Sequence, residues 1–438
     1  MNNLDIFPRL LIVSNCCLSN STSNGRTLKN FLIGWPKDKL AQFCIHFDDP
    51  DYSMCSNYYR VSDRDALNAF KLKGVKSGVV DPEQNRIAEN SRNVTSTNSS
   101  DEKKVGRNAF SAYIREIVWD SKKWKGDYFD NWIKEFNPEV VLLQAGDNGF
   151  LCRICLEISN MYNIPIVIYN SESYYFKNFD HMRSSGWKKL FFPIFKRRFR
   201  KDFKRLMAKA HSAIYCCDML TEDYRMVFDT PGVTIYTATE VKPCDKSDVA
   251  PHTFKISYLG NLGVGRSDGL ITIANALQSI SPDLRLDIYG KIHNDSIKNA
   301  FDSCPGINYK GFVSYDQVKD VMRDSDVLVH TENFSDYYRK DLKYAFSTKI
   351  ADSLASGTCF LLYAPAEIAA SQYLIRNNAA YVVSDENELK EMLERLINDP
   401  ESRNKYLTKA KELVETNHVY SKNSKTFQKI LKDAVSGE

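Results

Sequence analysis

The sequence predicts an α/β fold with two domains of similar size, each a parallel sheet wrapped by helices. The chain has 438 residues, more than a single domain of this kind usually contains. Short runs rich in β-branched residues alternate with helical patterns, and this alternation is typical of a parallel sheet. It occurs on both sides of the polar, proline-bearing segment Val241–His252, so we place the domains at residues 1–245 and 246–418.

Eight apolar runs are the predicted strands. Those of the first domain are Arg9–Ser14, Gln42–His46, Glu139–Gln144 and Ile164–Tyr169. Those of the second domain are Lys255–Leu259, Arg285–Tyr289, Val327–His330 and Thr358–Tyr363. The segment Asn85–Asn108 is rich in Asn, Ser, Thr and charge and predicts a mobile loop. Residues 419–438 predict a last helix, which we expect to cross back onto the first domain.

Composition argues against several classes of protein. The formal charge is only +4, from 59 basic and 55 acidic residues, which is too small to indicate nucleic-acid binding. No apolar run approaches the ~20 residues of a membrane span, and the first residues lack the basic and apolar parts of a signal peptide. The eleven cysteines are odd in number and irregularly spaced, which favours buried, reduced thiols. We therefore expect a cytoplasmic protein.

The stretch Phe346–Gly357 is the first candidate site. Ser347 and Thr348 have the residue types of a helix cap, and the free N–H groups of a helix start bind phosphate well. Lys349 lies in the first turn, where a cation is unfavourable for the helix unless an anion sits above it. Asp352 follows one turn later, where a carboxylate is able to hold ribose hydroxyls. The alternative is an amphipathic core helix with an ordinary cap.

Further loop features follow the predicted strands of the second domain. A glycine turn with Gly260, Gly263 and Gly265 leads into Arg266, and glycines at a strand-to-helix turn let the backbone approach a phosphate closely. In a parallel sheet the ligand lies beyond the carboxyl ends of the strands. The features that fall at such ends are Gly260, Gly290, the turn Gly311–Val313, Glu332 and Ser347. Their convergence predicts a nucleotide-diphosphate site.

The order of these features resembles the second domain of GT-B glycosyltransferases, in particular the large retaining group called family 4. The matching segments are the turn Gly260–Arg266, Asp287–Gly290, Lys310–Val313, the strand ending at Glu332, and Ala351–Gly357. The first half fits more loosely, through the loop Ser14–Thr27 and the run Phe136–Gln144, which is similar to bacterial capsule and surface-polysaccharide transferases. The resemblance implies a GT-B fold, with two Rossmann-like domains that face each other across a cleft.

The resemblance also implies a donor site. Arg266 takes the place of a phosphate-binding Lys, and Asn261 stands where the family usually has an Arg. The turn at Phe312 and Val313 receives the base, and the loop at Gly25 approaches the diphosphate. The complete set of implied donor-binding residues is Gly25, Gly260, Asn261, Gly263, Arg266, Gly290, Phe312, Val313, Ser347, Thr348, Lys349 and Asp352.

The implied catalytic residues depart from the family's usual motifs. Asp352 replaces the second Glu of the family's paired-glutamate motif, and the first Glu falls on Tyr344, so Glu332 or Asp341 has to substitute. In the first domain Glu172 follows the fourth strand where the family often has a His, and its alternative role is a helix cap. Asp324-Ser-Asp326 precedes a buried strand and is interpreted as structural. We therefore expect neither a metal nor a cofactor besides the nucleotide sugar.

The segment Trp187–Lys209 carries ten Lys or Arg residues against one acid, Asp202. Phe192, Phe195 and Phe199 recur at helical spacing, flanked by Lys196, Arg197, Arg198 and Arg200. A row of aromatic residues bordered by cations suits an anionic membrane surface. The alternative is a domain helix whose aromatic row lies in the core. Nucleic acid is disfavoured because no known binding module surrounds the segment.

Together these features predict a glycosyltransferase at the inner face of the cell membrane. The resemblance implies transfer from a nucleotide-diphosphate sugar to a hydroxyl of a lipid-linked glycan in surface-polysaccharide synthesis, with retained anomeric configuration. Two alternatives remain open at this stage. One is a nucleotide-sugar 2-epimerase with the same layout, and the other is a non-catalytic protein that binds sugar nucleotides.

Overall fold

The computed structural model describes residues 7–19, 23–75, 77–80, 107–243, 254–292 and 294–437. It divides into two units. The first comprises Met1–Cys216, Thr221–Ile235 and Ser424–Glu438, and the second comprises Cys217–Leu220 and Tyr236–Asn423. The second unit thus begins before residue 246, where the sequence placed it. Most of the predicted mobile loop 85–108 and most of the segment 241–252 lie outside the described residues.

The first unit contains a sheet of seven parallel strands. They are β1 (Leu10–Ser14), β2 (Leu40–Cys44), β3 (Asn57–Arg60), β4 (Val140–Gln144), β5 (Ile166–Asn170), β6 (Ser212–Tyr215) and β7 (Gly232–Thr234), in the order β3-β2-β1-β4-β5-β6-β7. All of β1 is buried, because it pairs with β2 on one side and β4 on the other. The four predicted strands are confirmed as β1, β2, β4 and β5. The other three were missed because runs of three or four residues carry too little periodicity.

Helices cover this sheet. They are α1 (Ser23–Phe31), α2 (Asp63–Phe70), α3 (Ala109–Asp120), α4 (Gly126–Phe136), α5 (Gly149–Tyr162), α6 (Phe191–Lys209) and α7 (Asp218–Arg225), with 3₁₀ turns at Lys37–Lys39 and Gly186–Leu190. Local chemistry explains several of their ends. Ser62 and Asp65 form a capping box at the start of α2. Asn137 and Asn163 end α4 and α5 in the left-handed conformation, which asparagine tolerates well.

The second unit contains a sheet of six parallel strands. They are β8 (Ile256–Leu259), β9 (Leu286–Tyr289), β10 (Ile307–Gly311), β11 (Val327–Thr331), β12 (Cys359–Tyr363) and β13 (Tyr381–Val383), in the order β10-β9-β8-β11-β12-β13. The four predicted strands are confirmed as β8, β9, β11 and β12. The strand order reverses next to β8, as it does next to β1 in the first unit, and such switch points are where doubly wound sheets bind ligands.

The remaining helices belong to this half of the chain. They are α8 (Arg266–Ile280), α9 (Asp295–Asp302), α10 (Tyr315–Asp324), α11 (Asp336–Asp341), α12 (Thr348–Ala355), α13 (Ala369–Asn377), α14 (Glu386–Asn398), α15 (Pro400–Asn417) and α16 (Tyr420–Ser436). The last helix begins in the second unit and belongs to the first from Ser424 onward. There Phe427 stacks on Phe31 at 4.9 Å between ring centroids, and Leu431 is fully buried.

The helix α6 corrects the predicted membrane surface. Phe192, Phe195 and Phe199 are buried in the first unit, the last two with 1% of their surface exposed. Lys196 is buried as well and donates a hydrogen bond to the carbonyl of Tyr174. The predicted aromatic row therefore faces the core and not a membrane. Sequence spacing defines a row of residues on a helix but not the neighbour that the row meets.

The flanking cations of α6 also differ from the prediction. Arg198 bonds Asp120 at 2.8 Å, and Arg200 donates to the carbonyl of Tyr175 at 3.1 Å. Of the four predicted membrane cations, Arg197 is exposed and is not in an ion pair with any described residue. Burial, with the charge of Arg200 nearby, lowers the pKa of Lys196 to about 7. The helix thus uses much of its charge within the protein.

Replacing Phe199 with Ala tests this orientation. We expect Phe199→Ala to lower the free energy of unfolding by about 3–5 kcal/mol, because a buried aromatic ring is replaced by a cavity. Ile194→Ala, at a position on the same helix that is half exposed, is expected to change it by about 1 kcal/mol or less. Urea denaturation followed by circular dichroism measures both. Equal small losses would contradict the burial of the aromatic row.

Candidate active site

The loop after β8 lies in close contact with the ends of neighbouring strands. A Cβ atom on Gly290 would lie 2.3 Å from the carbonyl oxygen of Gly260, so the two backbones touch here. Gly265 has φ +73°, and a Cβ there would lie 2.4 Å from Nδ2 of Asn333. Side chains at these positions would push the loop away from the sheet. Glycine is therefore required for packing of this turn, as the sequence suggested.

Two side chains, one at the start of α8 and one directly after β11, hold the loop in place. Nε and Nη2 of Arg266 donate to the two carboxylate oxygens of Glu332, at 3.0 and 2.7 Å. Both side chains are largely buried. A guanidinium and a carboxylate joined by two parallel hydrogen bonds form a strong and directional pair. This differs from the expectation for Arg266, which was a guanidinium available to a diphosphate.

The charge of Glu332 is stabilised from a second side. Nε2 of His330 lies 3.1 Å from Oε1 of Glu332. Burial by itself would raise the pKa of Glu332, but the hydrogen bond with His330 and the guanidinium of Arg266 lower it to about 2. Burial also lowers the pKa of His330. Glu332 is thus an ionised, buried and fully hydrogen-bonded carboxylate. That arrangement suits an orienting group better than the catalytic role predicted for it.

Further hydrogen bonds make the same loop rigid. Nδ2 of Asn333 donates to the carbonyl of Gly265 at 2.9 Å and to Asp268 at 3.0 Å. At the other end of the loop, Oδ1 of Asn261 accepts from the amide of Gly263 at 2.8 Å. The hydroxyl of Tyr258 donates to the carbonyl of Asn261 at 2.7 Å. The loop is therefore held along its length before any ligand binds.

The helix α12 begins where the sequence predicted. The hydroxyl of Ser347 accepts from the amide of Lys349 at 3.4 Å, and the helix starts at Thr348. Gly357 follows the end of the helix with φ +75°, in agreement with the predicted stop. The side chain of Lys349 reaches the glycine loop, because its Cδ atom lies 3.3 Å from where a Cβ of Gly260 would be. The structure thus brings Lys349 to the glycine loop.

The two positions of the paired-glutamate motif are arranged differently from the family pattern. Oδ1 of Asp352 accepts from the hydroxyl of Thr239 at 2.6 Å, so part of this carboxylate is used within the protein. Tyr344 has no carboxylate to offer, and its hydroxyl bonds the amine of Lys343 at 2.9 Å. Asp341, the other predicted substitute, is the last residue of α11.

The turn after β10 exposes an aromatic ring. Gly311 has φ +82°, and its carbonyl accepts from the amide of Gly290 at 3.0 Å, which places the turn beside the strand end of β9. Phe312 is 76% exposed. The turn also continues into a capping box between Ser314 and Gln317 at the start of α10. An exposed ring on a fixed turn is a suitable surface for stacking a planar base.

In the first unit, Glu172 and Gly25 were predicted to lie at the site. Glu172 follows β5 and is exposed, with Lys177 3.9 Å away. Gly25 is buried in the first turn of α1 and does not lie in an open loop. The loop Ser14–Thr27, which the resemblance placed near the diphosphate, is therefore shorter than expected.

The structure adds a cluster that the sequence did not indicate. Asp147, at the carboxyl end of β4, is buried between His181 and Arg107. Its two oxygens lie 2.9 Å from Nε2 of His181 and 2.9 Å from Nη1 of Arg107. Burial by itself would raise the pKa of Asp147, but the bond with His181 and the charge of Arg107 hold it well below its usual range. Gly146 and Gly149 flank Asp147, and glycines so placed are typical of a loop, whereas no sequence pattern connects His181 with Asp147.

A cavity of about 520 Å³ lies beside this cluster in the first unit. Arg107 and Arg115 line it together with His46 and Ser111. Both arginines have partners. Arg107 pairs with Asp147, and Arg115 bonds Asp63 and Asn148. The cations of the cavity are therefore balanced by carboxylates, and apolar side chains such as Leu67, Ile114 and Val118 form the rest of its lining.

Potential metal ligands also occur in the first unit. Within the described part of the chain, one group of three such ligands is present, formed by Cys16, His46 and Asp48, whose ligand atoms lie within 4.8 Å of one another. In the second unit, Oδ2 of Asp326 accepts from the amide of Lys255 at 2.8 Å, which agrees with a structural role for Asp324-Ser-Asp326. None of the ten described cysteines forms a disulfide. Among the helices described, none combines the length and apolarity of a membrane span.

Known proteins share this architecture. Residues 268–429 match the family model described as glycosyl transferase-like. The match assigns a glycosyl transferase-like domain to this part of the chain, and the chain as a whole has the GT-B fold. Most of the match lies in the second unit, which ends at Asn423, and it includes Glu332, Lys349 and Asp352. No curated protein matches the sequence.

Solved structures similar to this chain span both of its units. Sucrose-phosphate synthase from Thermosynechococcus elongatus is 10% identical, with a TM-score of 0.62 over 98% of this chain and 100% of that one. HepE from Anabaena in complex with UDP is also 10% identical, with a TM-score of 0.62 over 97% and 100%. A glycosyltransferase from Rickettsia africae is 11% identical, with a TM-score of 0.57 over 98% and 99%. At these identities the likeness concerns the fold.

The pair between Arg266 and Glu332 predicts an acid-sensitive stability. We expect Glu332→Gln to lower the free energy of unfolding by about 3–5 kcal/mol at pH 7, because a buried guanidinium loses its counter-charge. The pKa of Glu332 is lower in the folded chain than the ordinary 4.5, so its contribution is present above pH 4.5 and is lost as the pH falls towards 2. The difference between wild type and variant is therefore expected to shrink over that range. Thermal unfolding at a series of pH values measures it.

Glu172→Gln is the matched control, because this carboxylate is exposed. It is expected to leave the free energy of unfolding nearly unchanged at every pH. A difference between wild type and Glu332→Gln that stays constant from pH 7 to pH 2 would show that the charge of Glu332 is not what stabilises the loop.

Proposed function

We propose that this glycosyltransferase moves a sugar from a nucleotide-diphosphate donor, bound by the second unit, to a hydroxyl of a lipid-linked glycan. The observation that carries the proposal is the position of Lys349 and the start of α12 beside the glycine loop at the end of β8. A cation, free helix N–H groups and close-packed glycines together form a site for a diphosphate. The complexes of HepE with UDP and with UDP-glucose support a donor of this class.

The diphosphate is the leaving group of the reaction. Negative charge develops on it as the bond to the sugar breaks, and preorganised donors at that position lower the barrier. Lys349 supplies a full positive charge, and the N–H groups at Ser347 and Thr348 supply the helix dipole. No metal is needed in this scheme. The anomeric configuration is retained, as the resemblance to family 4 implies.

The nucleoside is held by neighbouring elements of the second unit. Phe312 offers an exposed ring for the base, on a turn that the carbonyl of Gly311 fixes to Gly290. Asp352 lies on α12 one turn after Lys349 and holds the ribose hydroxyls, next to the hydroxyl of Thr239 that donates to its Oδ1.

Arg266 and Glu332 act on the donor indirectly. Their hydrogen bonds fix the loop after β8, and Lys349 lies against that loop. In this proposal they are positioning residues and touch neither phosphate nor sugar. Catalytic geometry within about 0.5 Å depends on such supporting contacts.

The first unit provides the acceptor site. Two groups are suited to orient an acceptor hydroxyl there, the exposed carboxylate of Glu172 and the imidazole of His181 held by Asp147. A carboxylate that accepts from one imidazole nitrogen fixes the orientation and the tautomer of the ring and leaves the other nitrogen to act as the base. We place the reaction in surface-polysaccharide synthesis at the cytoplasmic face of the cell membrane, on the basis of the resemblance and of the cations in segment 187–209 that stay exposed, such as Arg197.

Substitution of Lys349 and Asp352 tests the donor site. A panel of nucleotide diphosphates and their sugars is first screened for thermal stabilisation of the chain, which identifies the donor. We expect Lys349→Ala to lower the rate of transfer by roughly 10²–10³-fold, the usual loss when one charge-stabilising group is removed. Asp352→Ala is expected to weaken nucleotide binding as well as transfer. The transfer rate is measured by release of the nucleotide diphosphate.

Lys390→Ala is the matched control, since this lysine lies on α14 of the same unit and pairs with Glu394 on the surface. It is expected to keep full activity. Full activity in both site variants would overturn the assignment of the donor site. The anomeric configuration of the product, measured by NMR, tests the stereochemistry separately, and inversion would contradict the retaining mechanism.

Substitution of His181 tests the acceptor site. We expect His181→Ala to lower kcat/KM for the acceptor by roughly 10²-fold or more, because a positioned base is lost. Thermal stabilisation by the donor nucleotide is expected to be unchanged, since His181 and the donor residues lie in different units. Glu172→Gln is measured in parallel. If the larger loss follows Glu172→Gln, the acceptor base is Glu172 and the role given to His181 is wrong.

A further inference from the structure

The segment 187–204 presents a row of exposed side chains that the predicted aromatic row does not include. We call it the outward row. It is spaced every three or four residues, so it follows one side of the 3₁₀ turn Gly186–Leu190 and of α6. Its members are Trp187, Leu190, Ile194, Arg197, Lys201 and Lys204.

The first half of the outward row is apolar. Trp187, Leu190 and Ile194 are 57%, 72% and 50% exposed. The opposite side of α6 is already packed, so these residues are not part of the core of the first unit. Trp187 is nevertheless held in place, because its ring contacts those of Phe110 and Phe191 at 4.9 and 5.9 Å between centroids. A fixed, exposed indole beside two aliphatic side chains is typical of residues at a lipid interface.

The second half of the outward row is cationic. Arg197, Lys201 and Lys204 are exposed, and none of them forms an ion pair with a described residue. Other cations of the helix are used within the protein, as with Arg198 and Asp120. The charge on the outward row is therefore available to an external anion. The row changes from apolar to cationic along the helix axis.

We propose that the outward row docks this glycosyltransferase onto an anionic lipid bilayer. Leu190, Ile194 and the indole of Trp187 enter the boundary between headgroups and acyl chains, while Arg197, Lys201 and Lys204 contact lipid phosphates. An amphipathic surface of this kind binds through apolar burial and through attraction to anionic lipids. Nucleic acid would match the cations but would offer no apolar environment to Leu190 and Ile194. The inference deepens the proposed function, because it names the surface that brings the enzyme to a lipid-linked acceptor.

Flotation with vesicles tests the proposal on the full chain. The wild-type protein is mixed with vesicles of phosphatidylcholine alone or with about one third phosphatidylglycerol, and the bound fraction is measured after centrifugation. We expect binding to the anionic vesicles only, and we expect it to weaken with added salt because the exposed charges become screened. Absence of binding to anionic vesicles at low salt would overturn the proposal.

Two double variants separate the contributions of the row. Leu190→Gln with Ile194→Gln is expected to reduce partitioning roughly tenfold or more, through lost apolar burial. Arg197→Gln with Lys201→Gln is expected to reduce it roughly thirtyfold, since each cation near an anionic surface contributes several-fold. The controls are Met226→Gln, an exposed apolar side chain elsewhere in the first unit, and Lys134→Gln, an exposed cation on α4. Both controls are expected to bind like wild type, and equal binding of the row variants would also overturn the proposal.

Two further measurements, light scattering and sugar transfer, distinguish lipid docking from dimerisation and from effects on the donor site. If the wild-type chain dimerises in light scattering and Leu190→Gln with Ile194→Gln abolishes the dimer while vesicles are not bound, the outward row is covered by a second copy and the lipid proposal is wrong. Transfer to a water-soluble acceptor is expected to be unchanged in all row variants. If Lys349→Ala loses transfer but still floats with anionic vesicles, the loss comes from the donor site and not from the docking surface. If the wild-type chain transfers sugar but does not float with anionic vesicles, the docking surface is wrong and the proposed donor site is unaffected.

Discussion

The buried pair between Arg266 and Glu332 is the interaction on which the proposed donor site depends. It joins the first residue of α8 to the end of β11, across the point where the strand order reverses. Removing one partner of such a pair leaves an uncompensated buried charge, which is costly. Because His330 and Asn333 bond to the same region, the loop after β8 has one arrangement. The position of Lys349 beside Gly260 follows from that arrangement.

The two sheets share one topology but carry different chemistry at their switch points. In the second unit the strand ends bear glycines, a helix start and Lys349, which suit a diphosphate. In the first unit the end of β4 bears the buried cluster of Asp147, His181 and Arg107, which suits a hydroxyl. Both sets are placed by the same rule, because the carboxyl ends of parallel strands meet at one edge of a sheet. The proposed roles of the two units, donor binding and acceptor binding, therefore both depend on this topology.

The helix α6 shows why a dense charge pattern is not enough to assign a surface. Its aromatic row and its outward row both recur at helical spacing, and both are bordered by cations. Only packing decides that Phe195 and Phe199 meet the core while Leu190 and Ile194 face solvent. Lys196 differs from the exposed cations of the helix, since its amine is buried and donates to a backbone carbonyl. Burial of one amine on so basic a helix is compensated by that hydrogen bond and by loss of its charge near pH 7.

The sequence alone determined the α/β class, eight of the strands, the cap and stop of α12, and the glycines of the loop after β8. These features depend on local spacing and on conformations that particular residue types adopt, so they can be read without knowledge of neighbours. Tertiary structure decided that Arg266 binds Glu332, that Asp352 bonds Thr239, that His181 joins Asp147, and which row of α6 is exposed. The three contacts join residues that are far apart in the chain. The exposure of one row of α6 depends on which face of the helix packs against the core. Spacing along the sequence carries no information on either, because it is the packing of the sheets and helices that brings such groups together.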